Sequence, residues 1–167
     1  MRLESFKAIA QALEQGEVRY LVAGGLAVNA HGYLRYTKDV DLIVELVTDN
    51  IERAMDALEG LGYRPAVPVN ARDFADAGQR QRWIEEKHMQ VFQLWSERHP
   101  DSPIDIFVKE PFPFAEEYES ALRKPLYGAI DVRFVRLETL IRMKEAVGRE
   151  QDRLDVEHLR MRLDDDE

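Results

Sequence analysis

Short apolar runs alternate with stretches of helical periodicity in this 167-residue sequence, and this alternation restricts its fold more than any other feature. Strand-like runs occupy residues 19–22, 39–44, 82–84, 89–94, 104–108 and 130–135. Helical spacing of apolar residues occurs in residues 3–13, 26–31, 51–58 and 114–122, and again from residue 137 onward. This order predicts a mixed α/β or α+β domain with one central sheet.

Several local features refine this prediction. Thr48 or Asp49 is suited to cap the helix that ends near Gly60. Residues 65–78 are rich in turn formers and predict a loop, and the runs at 82–84 and 89–94 predict a hairpin. We expect Trp83, Phe92 and Trp95 to pack in the core or on that hairpin, with stacking on a base as the alternative. The length fits a single domain over residues 1–167, with a C-terminal helical segment at about 137–163 in which Gly148 separates two helices.

Composition excludes several classes of protein. The chain has no cysteine, which rules out a disulfide framework and a thiolate nucleophile and fits a reducing cytoplasm. The longest apolar runs, such as 20–22 and 42–44, are too short to cross a bilayer, so we expect a cytoplasmic protein without a membrane partner. The formal net charge of -9 disfavours non-specific binding to nucleic acid. Arg72, Arg80, Arg82 and Lys87 either form a local basic patch or are solvated loop charges.

Three acidic residues lie in apolar strands. Asp39 and Asp41 are two residues apart, so their carboxylates project from the same face of a strand and repel each other. Mg²⁺ relieves such repulsion, because it binds one or two carboxylates together with substrate phosphate oxygens. Asp105 is an acid in the apolar strand 104–108, where an uncompensated buried carboxylate is costly. If the two strands are neighbours, the three acids converge on a two-metal site, whereas an isolated Asp-x-Asp also fits a solvated strand end.

A glycine pair, Gly24 and Gly25, lies at the predicted turn from the first strand into a helix. A turn without side chains lets backbone N–H groups approach a phosphate, with help from the N-terminus of the following helix. A tight turn alone explains an isolated glycine pair equally well. In combination with the acidic pair, however, the glycines favour a nucleotide site.

At this point the sequence resembles a known family. The segment 24–27 (Gly-Gly-Leu-Ala) and the segment 31–42 (His-Gly-Tyr-Leu-Arg-Tyr-Thr-Lys-Asp-Val-Asp-Leu) resemble the signature of the polymerase-β-like nucleotidyltransferase superfamily. Within it, the chain is similar to small AbiEii-toxin-like and minimal nucleotidyltransferase proteins. The specific likeness spans residues 22–44, and a looser likeness extends to residue 159. The resemblance implies a nucleotidyltransferase fold, with a mixed central sheet flanked by helices and with C-terminal helices.

The resemblance also implies roles for individual residues. Gly24 and Gly25 would hold the triphosphate, and Asp39 and Asp41 would ligate Mg²⁺. A third acid, which we assign to Asp105, would activate the attacking hydroxyl or help to hold the catalytic metal.

Further polar residues are candidates beside the nucleotide. They are Arg35, Thr37, Lys144, Arg149, Asp152 and Asp155. By the same resemblance, Lys144 is a phosphate contact. Arg35 and Thr37 either orient the turn before Asp39 or contact phosphate, and Thr37 equally fits a cap at the strand entry. Asp155 alternatively pairs with a neighbouring arginine to fix the last helix.

The implied reaction is nucleotidyl transfer from ATP or another nucleoside triphosphate to a hydroxyl acceptor, with two Mg²⁺ ions. The acceptor is open: a protein side chain, an RNA 3′ end, an antibiotic or another small molecule. The likeness to toxin–antitoxin components favours a protein or tRNA acceptor and a toxin–antitoxin partner. The alternatives are a non-catalytic nucleotide-binding or antitoxin-type module on the same fold, and a structural domain whose acids are coincidental.

Overall fold

A seven-stranded sheet with helices around it organises the structure, a computed structural model that describes residues 1–126 and 130–166. The strands are β1 (Tyr20–Ala23), β2 (Val40–Val44), β3 (Arg64–Pro65), β4 (Val91–Trp95), β5 (Ile104–Phe107), β6 (Leu122–Leu126) and β7 (Ile130–Phe134). The helices are α1 (Leu3–Gln15), α2 (Gly24–Ala30), α3 (Thr48–Glu59), α4 (Ala77–Lys87), α5 (Phe114–Ser120), α6 (Leu137–Val147) and α7 (Glu150–Asp165), with a 3-10 helix at Ala71–Ala75. The prediction of a central sheet flanked by helices is confirmed.

The strands lie in the order β3-β4-β5-β2-β1-β7-β6. β1 pairs with β7 and β2 pairs with β5 in parallel, whereas the other neighbouring strands are antiparallel. The sheet is therefore mixed. β2 lies near its middle, between β1 on one side and β5 on the other. The two strands that carry the acids are therefore neighbours, which is the condition that the sequence analysis set for their convergence.

Core side chains cover both faces of the sheet at its centre, but only one face at β4 and β5. All four residues of β1 are buried, as expected for a strand covered on both sides. β4 and β5 instead alternate between buried and more exposed residues. Phe92 on the buried side of β4 stacks on Phe74 and Trp83, at ring-centroid distances of 5.1 Å and 5.3 Å. The prediction that Trp83 and Phe92 pack in the core is confirmed, whereas Trp95 is 43% exposed.

The strand predicted at 82–84 is wrong, because these residues lie in α4. Asp76 caps this helix by accepting hydrogen bonds from the backbone N–H groups of Gly78 and Gln79. Arg80 and Trp83, three residues apart, form its buried stripe. In the sequence, Asp76 is the signal for the start of this helix, but the short apolar run at 82–84 favoured a strand instead. The predicted loop at 65–78 accordingly contains the 3-10 helix and the start of α4.

β6 has no counterpart in the sequence prediction, which extended the preceding helix into it. Its sequence is polar and contains Pro125, which lacks the N–H that an inner strand would donate. β6 lies at the end of the sheet and pairs with β7 alone, and a proline is tolerated there. Two helices form the C-terminal segment, as predicted: α6 ends at Val147, Gly148 follows with a φ of 69°, and α7 begins at Glu150. No helix within the described residues is long and apolar enough to span a membrane.

The predicted cap of α3 at Thr48 or Asp49 is also wrong. The N-cap is Val47, whose side chain cannot accept a hydrogen bond. The start of this helix is fixed instead by Asn50, which is fully buried. Its side chain accepts from the backbone N–H of Arg19 at 2.8 Å and donates to the carbonyl oxygens of Arg19 and Glu45 at 3.0 Å and 2.9 Å. The helix is thereby joined to the ends of β1 and β2.

Replacing Asn50 with alanine should lower the free energy of unfolding by about 3 kcal/mol, because three part-buried hydrogen bonds to the backbone are lost and the N–H of Arg19 loses the acceptor that the side chain supplies. Urea denaturation of the purified chain measures this loss. Asp49→Ala, at the exposed neighbouring position, is the matched control and should change stability by no more than about 0.5 kcal/mol. Equal effects of the two substitutions would contradict the role given to Asn50.

Candidate active site

One row of side chains crosses four adjacent strands and forms the centre of the candidate site. The register pairs Ala23 on β1 with Asp41 on β2, Asp41 with Asp105 on β5, and Asp105 with Gln93 on β4. Asp41 and Asp105 are thus direct neighbours on parallel strands. Asp39 immediately precedes β2, two residues before Asp41, and contributes to the same local charge.

A cleft of about 860 Å³ contains the candidate residues. All eight residues that the sequence assigned to catalysis, metal or nucleotide line it: Gly24, Gly25, Arg35, Thr37, Asp39, Asp41, Asp105 and Lys144. The structure therefore brings the full set together from β2, β5, α2, α6 and the segment between α2 and β2. The weaker candidates Arg149 and Asp152 line the same cleft.

The charged forms of the Asp41 and Asp105 carboxylates are disfavoured by their surroundings. Burial, and after it the negative charges of Asp105 and Asp39, raise the pKa of Asp41 from its ordinary value of 3.8 to about 7, against a smaller lowering by Lys144 and Arg149. Burial also raises the pKa of Asp105, and the charge of Asp39 adds to the effect. The hydrogen bond from Gln93 Nε2 to Asp105 Oδ1, at 2.9 Å, partly offsets this rise.

The donor set fits a hard divalent cation. Three carboxylates offer the oxygen ligands that Mg²⁺ prefers, and their mutual repulsion is the strain that such a cation would relieve. Within residues 1–126 and 130–166, however, no three acidic or histidine side chains already converge at metal-ligand distances. The structure thus supplies suitable donors on neighbouring positions but not a closed coordination sphere.

The glycine pair lies directly against the acids, as the first turn of α2. Gly24 has a φ of 61°, in the left-handed region, and a Cβ there would lie 2.7 Å from the Cγ of Asp41. A Cβ at Gly25 would lie 2.6 Å from the Cβ of Thr37. Both positions therefore require glycine for close packing, and the helix starts immediately beside the carboxylate of Asp41.

A buried ionic cluster stands on the glycine side of the cleft, centred on Asp155. This carboxylate is fully buried and accepts from Arg35 Nε and Nη2, both at 2.7 Å, and from Lys144 Nζ at 2.8 Å. Burial acts to raise the pKa of Asp155, but the hydrogen bonds from Arg35, Lys144 and Gln151 hold it below its usual value. Arg35 is thus engaged by α7, an arrangement that fixes the segment before Asp39.

Asp152 extends this cluster towards the cleft. It accepts from Lys144 Nζ at 3.2 Å and, at the start of α7, from the backbone N–H and Nε of Arg149 at 3.2 Å and 2.8 Å. The alternative prediction for Asp155, pairing with Arg149 or Arg153, is replaced by its pairing with Arg35 and Lys144.

Gln93 is the site residue that sequence reasoning missed. The alternation in β4 contains the signal: Phe92 and Leu94 are buried, so Gln93 faces the opposite side of the sheet. Its partner became evident only from the pairing of β4 with β5.

His31 follows the last residue of α2, and its Nε2 lies 2.8 Å from the carbonyl oxygen of Val135. The basic-patch hypothesis is wrong for two of its members. Arg72 pairs with Asp56 and Glu59, and Arg80 is buried, where it donates to the carbonyl oxygen of Phe74.

Solved structures of known proteins share this fold. The crystal structure of the lincosamide antibiotic adenylyltransferase LnuA with lincomycin bound is similar with a TM-score of 0.63 at 15% identity, over 94% of this chain and 95% of that chain. ANT(2'')-Ia in complex with adenylyl-2''-tobramycin gives a TM-score of 0.58 at 15% identity, over 94% and 86%. A solution structure of the antibiotic-resistance factor ANT(2'')-Ia gives 0.57 at 16% identity, over 96% and 81%. Neither a protein-family model nor a curated protein matches the chain.

These similarities show that the chain has a nucleotidyltransferase fold, as the resemblance implied. The narrower likeness to AbiEii-toxin-like proteins stays a prediction.

Replacing Asp41 with asparagine should reverse a pH-dependent destabilisation. The folded pKa of about 7 exceeds the unfolded value of about 3.9, so the folded state loses stability as pH rises between these values. Without divalent cations, we expect the stability gained by Asp41→Asn to be about 2–3 kcal/mol larger near pH 8 than near pH 5. Urea denaturation at the two pH values measures it. The same pH-dependent gain in Asp49→Asn, on the surface of α3, would show that the effect does not come from the site.

Replacing Lys144 with methionine should lower the free energy of unfolding by about 3 kcal/mol, because Asp152 and Asp155 stay buried with less compensating charge. Chemical denaturation measures the change. Arg142→Met removes an equal charge from an exposed position on the same helix and should cost at most about 0.5 kcal/mol. A similarly small effect at Lys144 would mean that the cluster contributes little to stability.

Proposed function

We propose that this chain is a Mg²⁺-dependent nucleotidyltransferase that transfers a nucleoside monophosphate from a nucleoside triphosphate to a hydroxyl acceptor. The observation that carries the proposal is the register of Asp41 and Asp105, side by side on parallel strands and next to the glycine turn. A structural domain has no need of two strained carboxylates that line an open cleft. The free-energy cost of burying these carboxylates is explained if they hold a cation beside a phosphate.

The triphosphate would lie at the glycine end of the cleft. The first turn of α2 presents backbone N–H groups without side chains in front of them, and Lys144 and Arg149 line the same cleft as cations. Lys144 is held by two carboxylates in the ligand-free chain. Phosphate oxygens would share this lysine with Asp152, while Asp155 keeps its orientation through Arg35. Arg35 then acts by positioning, and Thr37 packs against the glycine turn.

Asp39, Asp41 and Asp105 would hold Mg²⁺ through carboxylate oxygens. When bound, Mg²⁺ supplies positive charge that offsets the charge developing on the phosphates and lowers the pKa of a coordinated hydroxyl. Asp105 would receive the acceptor's proton, because burial raises its pKa and makes it a better base, and Gln93 fixes one of its oxygens. The acceptor oxygen bonds to the α-phosphorus as the bond to the β-phosphate oxygen breaks, and pyrophosphate leaves with that electron pair.

The names of the similar structures support a choice of nucleotide donor and of acceptor class for the proposed reaction. LnuA is a lincosamide antibiotic adenylyltransferase, and ANT(2'')-Ia was obtained with adenylyl-2''-tobramycin. These names support ATP as the donor and a small hydroxylated molecule as the acceptor. They give less support to the protein or tRNA acceptor and the toxin–antitoxin partner expected from the sequence.

Substitution of the metal-binding acids tests the proposal. Asp39→Asn and Asp41→Asn should each abolish saturable binding of MgATP in a calorimetric titration and reduce transfer of label from α-labelled ATP at least ~100-fold. Asp131→Asn, at an exposed position on β7, is the matched control and should leave both properties unchanged. Unchanged MgATP binding in either site variant would refute the proposal. Binding without any transfer by the natural sequence would indicate the non-catalytic nucleotide-binding module.

A further inference from the structure

An apolar surface lies beside the acids on β5 and β4, on the opposite side of β2 from the glycine turn. Phe107 is two residues beyond Asp105 on β5, so both side chains project from the same face of the strand. Val91 has the same relation to Gln93 on β4. The register places Val91 directly beside Phe107, just as it places Gln93 beside Asp105.

This apolar pair lines the cleft, although Phe107 also packs against the edge of the core. Val91 and Phe107 are both half-buried, whereas Phe92 and Ile106, their neighbours in sequence, are fully buried on the other face. Ile84 of α4 and Met89, which precedes β4, are half-buried and line the same cleft. We call Ile84, Met89, Val91 and Phe107 the apolar wall.

The chemistry of phosphoryl transfer assigns opposite sides of the acids to the two substrates. The attacking and leaving oxygens lie roughly in line across the phosphorus. The sheet order places the glycine turn beyond one side of β2 and the strands β5 and β4 beyond its other side. The ionic cluster of Asp155, Lys144 and Arg35 adjoins the glycine side, because Arg35 belongs to the segment that follows α2. If the triphosphate occupies that side, the acceptor approaches past Asp105, over the apolar wall.

We propose that the apolar wall is the acceptor subsite, and that it takes a small, uncharged molecule with an apolar face and a hydroxyl group directed at Asp105. This inference rests on the proposed function. The wall offers van der Waals contact to an aliphatic or aromatic face, and Gln93 adjoins it as a polar group. The cleft, at about 860 Å³, lies in the range of small-molecule sites.

A polymeric acceptor fits this surface poorly. A nucleic acid requires a track of cations, yet the net charge is -9, and Arg72 is paired with carboxylates while Arg80 is buried on a backbone carbonyl. Lys38 and Lys109 line the cleft, but they share it with Glu110 and the acids of the site. A polycationic acceptor would need acidic groups in place of the apolar wall.

A pair of matched probes tests the subsite. Phenyl β-D-glucoside and methyl β-D-glucoside carry the same hydroxyls and differ in an apolar ring. Each is titrated calorimetrically into the full chain saturated with Mg²⁺ and α,β-methylene-ATP. We expect the phenyl compound to bind at least about tenfold more tightly, and Val91→Asp to remove this difference. Val67→Asp, at an exposed valine outside the cleft, should preserve it.

Met89→Gln provides a second variant in case Val91→Asp disturbs β4, and circular dichroism checks the fold of each. Equal affinities for the two glucosides, no binding of either, or retention of the difference in both wall variants would overturn the proposal. So would transfer of label to tRNA or protein at a rate that Val91→Asp does not change. Failure of α,β-methylene-ATP to bind would count against the proposed function instead, and the glucosides titrated without nucleotide would still report on the wall.

Discussion

The parallel pairing of β2 with β5 in a single register is the constraint on which the site depends. It brings Asp41 beside Asp105, although the two residues come from strands separated by α3, β3, α4 and β4. A shift of one residue in this pairing would turn one carboxylate into the apolar core, where an unpaired charge is costly. The buried faces of the two strands, with Leu42 and Ile106 fully buried and in register, prevent that shift. The hydrophobic pattern thus determines the position of the charged groups.

A second constraint comes from the end of the chain. Asp155 on α7 is fully buried and bonded to Arg35, which precedes the first acid, and to Lys144 on α6. Such a cluster gains little net stability over an apolar alternative, but it fixes the positions of its members. It holds the segment before β2 and the lysine of α6 in a defined relation to Asp41. The C-terminal helices therefore contribute to the cleft as directly as the sheet does.

Much of this arrangement could be predicted from the sequence, for identifiable reasons. The acids were found because Asp39 and Asp41 interrupt the apolar pattern of a strand, and Asp105 does so in another. The errors occurred where tertiary context overrides local pattern. Trp83 belongs to a helix because Asp76 caps it, and β6 is a strand although its sequence is polar, because it needs only one neighbour. The role of Gln93 depends on strand pairing, which no local pattern contains.

The two outermost strands of the sheet share a property that bears on how copies of the chain can associate. β3 has only two residues and includes Pro65, and β6 includes Pro125. An edge strand with a full row of free N–H and carbonyl groups is a template for a strand from another molecule, and prolines and short edges remove such templates. Within residues 1–126 and 130–166, neither end of this sheet offers an uninterrupted ladder. Growth of the sheet from molecule to molecule, as in fibrils or strand-swapped dimers, is therefore disfavoured at both edges by the backbone itself.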